Sequence, residues 1–223
     1  MPRIARGLAD NQTYHIINRG NRKESVFHDA HDYEKFLKLL EDAKEKYSIK
    51  IYAYSLMSNH FHLVVFTPLA QSLSQAMQWI GTSYVRYYNK RYKISGHLWQ
   101  GRYKSFIVQE DSYLLMLLKY VEANPLRAKI VKDAIDYKYS SAYNRINNTK
   151  DIIDTPPIGL PKNWNEFINE KENKINLDTI RNCINRQAPL GEKSWQEKIV
   201  KEYGLESTIN PRGRPKKSDE EER

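Results

Sequence analysis

Carboxylates are missing from one long stretch of the chain, because no Asp or Glu occurs between Glu45 and Glu110. This acid-free stretch of 64 residues carries eight Lys and Arg side chains, while the net charge of the whole chain is +9. Basic groups neutralise phosphates, and the Tyr and Trp side chains between them can stack on unpaired bases. The pattern favours a nucleic-acid surface. The alternative is a solvated helix face whose tyrosines point into the core.

Two other scarcities narrow the class of protein. Cys183 is the only cysteine among 223 residues, which excludes an intrachain disulfide and a cysteine-rich zinc module. No apolar run approaches the ~20 residues that a membrane-spanning helix needs. Because 40% of the residues are hydrophobic, the chain can still form a core. We therefore expect a cytoplasmic protein.

The predicted elements follow the order β-α-β-β-α-β, with a further helix after the last strand. Apolar periodicity predicts strands at 13–18, 49–57, 60–67 and 103–108, and helices at 29–47, 72–92 and about 111–123. This order is typical of an α+β protein with a ferredoxin-like or RRM-like sandwich, in which an antiparallel sheet carries helices on one face. A helical C-terminal extension and a basic tail should follow.

Composition divides the chain into four parts. Residues 1–146 should form the compact domain. The segment 147–176 is rich in Asn, Pro, Lys and Asp, and is predicted to be a loosely structured connection. Residues 177–206 are expected to be helical in two pieces around Pro189, and residues 207–223 form a charged tail.

His60 and His62 lie two positions apart in the most apolar predicted strand. Side chains alternate along a strand, so both imidazoles share one face while Phe61 points to the other. Two imidazoles at this spacing can bind one divalent cation. The alternative is a pair of hydrogen-bonded histidines in the core.

Tyr120 and Asn124 lie four apart at the end of the predicted helix 111–123, on the face that also carries Tyr113 and Leu117. The Asn124 amide oxygen is a hard, neutral ligand suited to Mg²⁺ or Mn²⁺. A tyrosine hydroxyl, with a pKa of ~10, acts as a nucleophile only when its proton is accepted or its pKa is lowered. The alternative is a core tyrosine with a bonded hydroxyl.

Four motifs occur in order between Arg6 and Ser141: YHIINRGNR at 14–22, YSLMSNHFHL at 54–63, LWQGRYK at 98–104 and YVEANPLRA at 120–128. Together they resemble the single-tyrosine HUH transposases related to the IS200/IS605 group, and most closely the REP-associated tyrosine transposase (RAYT) branch. The resemblance makes residues 1–146 the catalytic domain. It implies that His60, His62 and Asn124 bind Mg²⁺ or Mn²⁺ and that Tyr120 is the nucleophile.

The resemblance also implies a reaction and a partner. Family members cleave single-stranded DNA, often beside a hairpin, through a covalent 5′-phosphotyrosine, and then transfer the strand. Such a protein would associate with the nucleoid, as a monomer or a homodimer.

The predicted DNA contacts are basic residues near the histidine strand, in the acid-free stretch and in the tail. The segment 211–217 contains the Arg-Gly-Arg-Pro core of an AT-hook, a motif that lies in narrow A·T minor grooves. A solvated basic tail is the alternative, and the adjacent acidic run at 219–222 favours it. The predicted contacts are Arg19, Arg86, Lys90, Arg91, Arg102, Lys104, Arg212 and Arg214.

Two other functions compete with a transposase. A non-catalytic nucleic-acid-binding module, or a domesticated transposase acting as a DNA-binding regulator, would need the basic surface but not His60, His62 and Tyr120 together. A metal-dependent hydrolase that activates water would usually need carboxylate ligands or a general base, which the acid-free stretch does not offer.

Overall fold

The structure, a computed structural model, describes residues 7–147 and 152–210. Its first half comprises β1 (Gln12–Arg19), α1 (Ala30–Tyr47), β2 (Lys50–Met57), β3 (His60–Thr67), α2 (Ala70–Tyr92) and β4 (Lys104–Val108). The later helices are α3 (Ser112–Glu122), α4 (Asn124–Arg127), α5 (Ser141–Asn147), α6 (Trp164–Asn169), α7 (Lys174–Arg186), α8 (Lys193–Tyr203) and α9 (Glu206–Ile209). None of the helices in these ranges combines the length and the apolar character needed to cross a lipid bilayer.

The four strands form one antiparallel sheet in the order β2-β3-β1-β4. Hairpin-connected β2 and β3 pair directly, and β1 lies between β3 and β4. This order is that of a ferredoxin-like sandwich, so the predicted α+β class is confirmed. The central strands are β1 and β3, which places the His-Phe-His sequence in the middle of the sheet.

Helices cover both faces of this sheet. On the first face, α1 and α2 pack against Phe61, Leu63 and Val65 of β3. The second face of β3 carries Val64 and Phe66, which pack in a separate core together with α3, α6 and α7. The expectation of helices on one face is therefore incomplete. Because β3 is apolar on both faces, each face needs its own cover.

The segment 147–176 was expected to be loosely structured, and for its described part this prediction is wrong. It contains α6 and the beginning of α7, and Trp164 and Ile168 of α6 are buried against α3. Asn is the most frequent residue here, but a few well-spaced apolar side chains are enough to fix a short helix on an existing core. The two predicted helical pieces of the extension correspond to α7 and α8.

The connection between α7 and α8 extends the sheet beyond β4. Leu190 donates its N–H to the Ile107 carbonyl at 2.8 Å and accepts from the Gln109 N–H at 2.9 Å. This parallel bridge covers the outer edge of β4. As a result, the extension is tied to the strand that lies beside β1.

Candidate active site

His60 and His62 lie on the second face of the sheet, with their ring centroids 5.1 Å apart. The antiparallel register places Arg19 of β1 opposite His60 and Ile17 opposite His62. Cross-strand partners share a face, so Arg19 brings a positive charge beside the histidine pair. The structure thus has the two imidazoles on one face, as alternation predicts.

Both histidines are neutral at physiological pH. Burial, with a smaller effect of Arg19, lowers the pKa of His60 to about 4. Burial also lowers the pKa of His62 well below its usual range, assisted by His15 and His60. A metal ion binds the neutral imidazole, so this environment keeps both side chains in the ligand-competent form.

His15 of β1 belongs to the same site, and sequence reasoning did not assign it a role. It is fully buried, and its Nε2 lies 3.0 Å from Nδ1 of His62. Its ring also meets the edge of Phe106 and lies 6.3 Å from the ring of Tyr120. Burial lowers the pKa of His15 to about 3, so it too is neutral. The sequence feature that could have pointed to His15 is its position in the first motif, YHIINRGNR at 14–22.

Tyr120 lies on α3, which packs across β2 and β3 above the histidines. Asp111 caps this helix by accepting from the Tyr113 N–H at 2.8 Å. The Tyr120 ring centroid lies 5.9 Å from that of His62, and only 7% of the residue is exposed. The structure therefore brings the predicted nucleophile and the histidine pair together within one chain.

Arg127 covers the ring of Tyr120 and was also missed by the sequence analysis. Its guanidinium carbon lies 4.1 Å from the ring centroid, and its Nη2 donates to the Tyr120 carbonyl at 3.0 Å. Glu172 accepts from Nη1 and holds the guanidinium from the other side. Burial raises the pKa of Tyr120, while Arg127 and Arg181 act to lower it.

Asn124 is the first residue of α4, directly after α3. It is 9% exposed, and its Nδ2 is buried without a hydrogen-bond partner among the described residues. An unpaired buried N–H group is unusual, and as a donor it would accommodate an acceptor such as a phosphate oxygen and not a cation. Its predicted role as a third ligand stays a prediction.

His60 and His62 place two imidazoles on one face of the sheet, where the predicted cation would bind. In the described part of the chain, no three His, Cys, Asp or Glu side chains converge on a common point. The side-chain donors of the predicted site would be His60, His62 and, as the resemblance implies, Asn124, and DNA phosphate oxygens would supply further hard ligands. Glu122, the carboxylate nearest in sequence to Tyr120, is held in a separate hydrogen-bond network.

Glu122 anchors the end of α3 below the site. Fully buried, its carboxylate accepts from Ser141 Oγ at 2.6 Å, Arg145 Nε at 2.8 Å and Trp164 Nε1 at 2.7 Å. These bonds join α3 to α5 and α6, and the network is fully occupied on both carboxylate oxygens. Since a buried ion pair of this kind orders its surroundings, Glu122 contributes to the position of Tyr120.

Two clefts lie beside the end of β1 and the segment that precedes β4. The α2 cleft, of about 540 Å³, lies between α2 and the segment before β4, and Gly81, Arg86 and Trp99 are among its lining residues. The β1 cleft, of about 360 Å³, is lined by residues that include Arg19 and Lys104. Asn18, Gly101 and Arg102 line both. A bound strand could therefore pass from one cleft to the other.

The predicted DNA contacts have different surroundings. Arg19, Arg86, Lys90, Arg102 and Lys104 are exposed. Arg91 is engaged in ion pairs with Asp29 at 2.5 Å and Asp32 at 2.6 Å, so α1 supplies the carboxylates that the acid-free stretch lacks. Arg212 and Arg214 lie outside the described residues. All eight remain predictions as DNA contacts.

The structure combines a ferredoxin-like sheet with a histidine pair beneath a buried tyrosine. The sequence identifies the family. Residues 9–124, slightly more than half of the chain, match the family described as "Transposase IS200 like". The chain therefore belongs to the IS200-like transposases, as its motifs predicted. No curated protein sequence matches it significantly.

Two solved structures are similar to this chain. One is described as a REP-associated tyrosine transposase bound to a REP hairpin. It is 15% identical, with a TM-score of 0.56 over 73% of this chain and all of that chain. A second, a Deinococcus radiodurans R1 protein assigned as a transposase, is 20% identical, with a TM-score of 0.37 over 55% of this chain and 96% of that chain. At 15% identity, the first likeness establishes the fold.

Proposed function

We propose that this protein is a metal-dependent endonuclease and strand transferase for single-stranded DNA, of the RAYT type, acting near DNA hairpins. The observation that carries the proposal is the position of Tyr120, whose ring lies 5.9 Å from that of His62 on the face that also carries His60. A non-catalytic DNA-binding protein would not require this arrangement.

His60 and His62, with Asn124 as the third donor, would hold Mg²⁺ or Mn²⁺. When bound, the ion supplies a positive charge that polarises a non-bridging phosphate oxygen. The Tyr120 hydroxyl oxygen attacks the phosphorus in line, and the bond from phosphorus to the deoxyribose 3′-oxygen breaks. The phenolic proton is lost to solvent, and the departing 3′-oxygen takes up a proton.

The product of this step is a 5′-phosphotyrosine and a free 3′-hydroxyl. Because one phosphodiester replaces another, the bond energy is retained and no nucleotide cofactor is needed. Attack by a second 3′-hydroxyl on the phosphotyrosine releases Tyr120 and joins two strands. The same groups therefore serve cleavage and transfer.

A hairpin-bearing single strand is the proposed partner. The REP-associated transposase of similar fold is described as bound to a REP hairpin. In this chain, the exposed cations Arg19 and Lys104 line the β1 cleft, while Arg86 lines the α2 cleft. The β1 cleft leads toward His60, which lies opposite Arg19, and the α2 cleft joins it where Asn18, Gly101 and Arg102 line both.

The direct test is incubation of the full chain with a panel of hairpin-bearing single strands and Mn²⁺. An adduct that resists SDS, together with a released fragment ending in a 3′-hydroxyl, supports the proposal. Tight binding of the same strands without any adduct would instead favour a non-catalytic DNA-binding regulator, acting as a monomer or a homodimer.

Filling the α2 cleft tests the DNA path. Gly81 lies within α2, and a Cβ at this position meets no atom within 4 Å. We expect Gly81→Leu to weaken binding of single-stranded DNA by about tenfold, because its side chain occupies space that a base would use, on the scale of one lost stacking contact. The fold should survive, since Gly is unfavourable within a helix.

Gly159 provides the matched control, since a Cβ there is equally free of contacts and lies away from both clefts. Binding is measured by fluorescence anisotropy at fixed salt. If Gly81→Leu binds DNA as Gly159→Ala does, the path does not include this cleft.

Arg127 and Glu172 should shift the pH dependence of cleavage in opposite directions. Burial raises the pKa of Tyr120, Arg127 lowers it, and Glu172 raises it. The phenolate fraction grows with pH, so cleavage should accelerate as pH rises toward that pKa. Arg127→Gln should move the profile to higher pH and slow cleavage about tenfold at pH 7, while Glu172→Gln should move it to lower pH.

The measurement is the single-turnover cleavage rate between pH 6 and 10, with Arg127→Lys as the variant that keeps the charge. Parallel shifts of both neutral variants would show that the two side chains act through packing and not through the phenol.

A further inference from the structure

We infer that His15 is a positioning residue for the metal site, whose Nε2 accepts the Nδ1–H of His62 and so reserves Nε2 of His62 for the cation. The inference rests on the proposed metal site at His60 and His62. It goes beyond that proposal because it assigns a function to a residue outside the donor set.

The first step is the geometry of the contact. Nε2 of His15 lies 3.0 Å from Nδ1 of His62, the ring centroids are 5.2 Å apart and the ring planes differ by 18°, so the two rings meet edge to edge. Both residues are buried, so water does not compete for this contact. The β1–β3 register fixes it, because His15 lies opposite Val64, two residues from His62 on the same face.

The second step concerns the proton. A neutral imidazole has an N–H on one nitrogen and a lone pair on the other. If one nitrogen donates a hydrogen bond, the other nitrogen keeps the lone pair, and if it accepts one, the other nitrogen carries the proton. If Nδ1 of His62 donates to His15, Nε2 of His62 keeps a lone pair. If His15 donates instead, the proton of His62 resides on Nε2 and blocks it. Metal binding through Nε2 therefore selects the first arrangement.

The third step is the parallel at His60. Its Nδ1 lies 2.6 Å from Oδ1 of Asn59, a group that only accepts. His60 must therefore donate from Nδ1, which leaves a lone pair on Nε2. With His15 as the acceptor, His62 has the same tautomer. Each imidazole then presents the same nitrogen for one cation, and an outer partner fixes each ring.

The surroundings of His15 are those of a core residue, but its chemistry is not. Its cross-strand neighbours are Val64 and Phe106, which would accommodate an apolar side chain. With Nε2 as the acceptor, the N–H of His15 is on Nδ1, which is buried without a hydrogen-bond partner in the described part of the chain. A histidine that leaves one nitrogen unpaired in an apolar setting is a poor packing choice. The contact with His62 supplies the reason for its presence.

The test compares His15→Leu and His15→Gln with the unmodified chain. Gln places an amide oxygen near the position of Nε2 and can accept from His62, whereas Leu cannot. Binding of Mn²⁺ alone is measured by the loss of its free-ion EPR signal. His15→Leu should bind Mn²⁺ at least about tenfold more weakly than the unmodified chain. His15→Gln should bind within about threefold of the unmodified chain, because it restores the acceptor.

NMR of ¹⁵N-histidine-labelled protein gives a readout that is independent of activity. The unmodified chain should show His62 as the Nδ1–H tautomer, and His15→Leu should lose that signature. Equal Mn²⁺ binding by all three proteins, or an Nε2–H tautomer of His62 in the unmodified chain, would overturn the role of His15.

The outcomes also separate this inference from the proposed function. If the unmodified chain and His60→Ala bind Mn²⁺ equally, the proposed metal site fails whatever His15 does. If His15→Leu does not fold, the Gln variant and the tautomer in the unmodified chain decide.

Discussion

Replacement of Tyr120 by Phe is expected to abolish the covalent adduct and to reduce strand cleavage by at least about 10⁴-fold. The substitution removes only the attacking oxygen, and loss of a nucleophile costs this much in enzymes that form covalent intermediates. The ring itself should stay in place, because it packs beside His62 and beneath Arg127. Hairpin binding and thermal stability should therefore change little.

Tyr113→Phe is the matched control, since Tyr113 lies on the same helix and is partly exposed. Adduct formation is scored by SDS gel with an end-labelled strand, and the attachment site is mapped by proteolysis and mass spectrometry. An adduct of unchanged yield in Tyr120→Phe would assign the attack to another residue.

The buried position of Tyr120 has a consequence for the order of events. With 7% of the residue exposed and its pKa raised by burial, the hydroxyl is protonated in the free protein at pH 7. The acid-free stretch contains no carboxylate that could act as a base. The Glu122 carboxylate is occupied by Ser141, Arg145 and Trp164. In the proposed mechanism the cations around the phenol, Arg127 before Arg181, favour its ionised form.

The sequence was sufficient for those parts of the site that lie within one element. Alternation along β3 predicts that His60 and His62 share a face, and apolar periodicity predicts the helix that carries Tyr120, whereas Asn124 begins the next helix, α4. Family resemblance supplied their roles. These predictions needed only local periodicity, which is the strongest signal that a single sequence contains.

The parts that the sequence analysis missed depend on distances across elements. The contact of His15 with His62 joins residues 47 positions apart and depends on the β1–β3 register, which periodicity does not fix. Arg127 reaches Tyr120 because α4 follows α3 after a break at Ala123. The packing of α6 depends on the core that α3 has already formed.

Replacement of either His60 or His62 by Ala is expected to lower metal-dependent cleavage by about 10²–10³-fold, the scale of a lost electrostatic stabiliser in a transition state. Each variant leaves the cation one imidazole and a partly empty site. Chelation with EDTA should abolish cleavage by the unmodified chain, and Mn²⁺ or Mg²⁺ should restore it. His97→Ala is the control, because His97 is exposed and lines neither cleft beside the site.

The double variant distinguishes one shared ion from two separate functions. If both imidazoles bind a single cation, replacing one of them already removes most of the cation's effect on the cleavage rate. The double variant should then cleave no more than about threefold more slowly than the slower single variant. Losses that multiply would mean that the two histidines act independently. Single-turnover rates at saturating DNA give this comparison directly, because they exclude differences in strand binding and leave the chemical step.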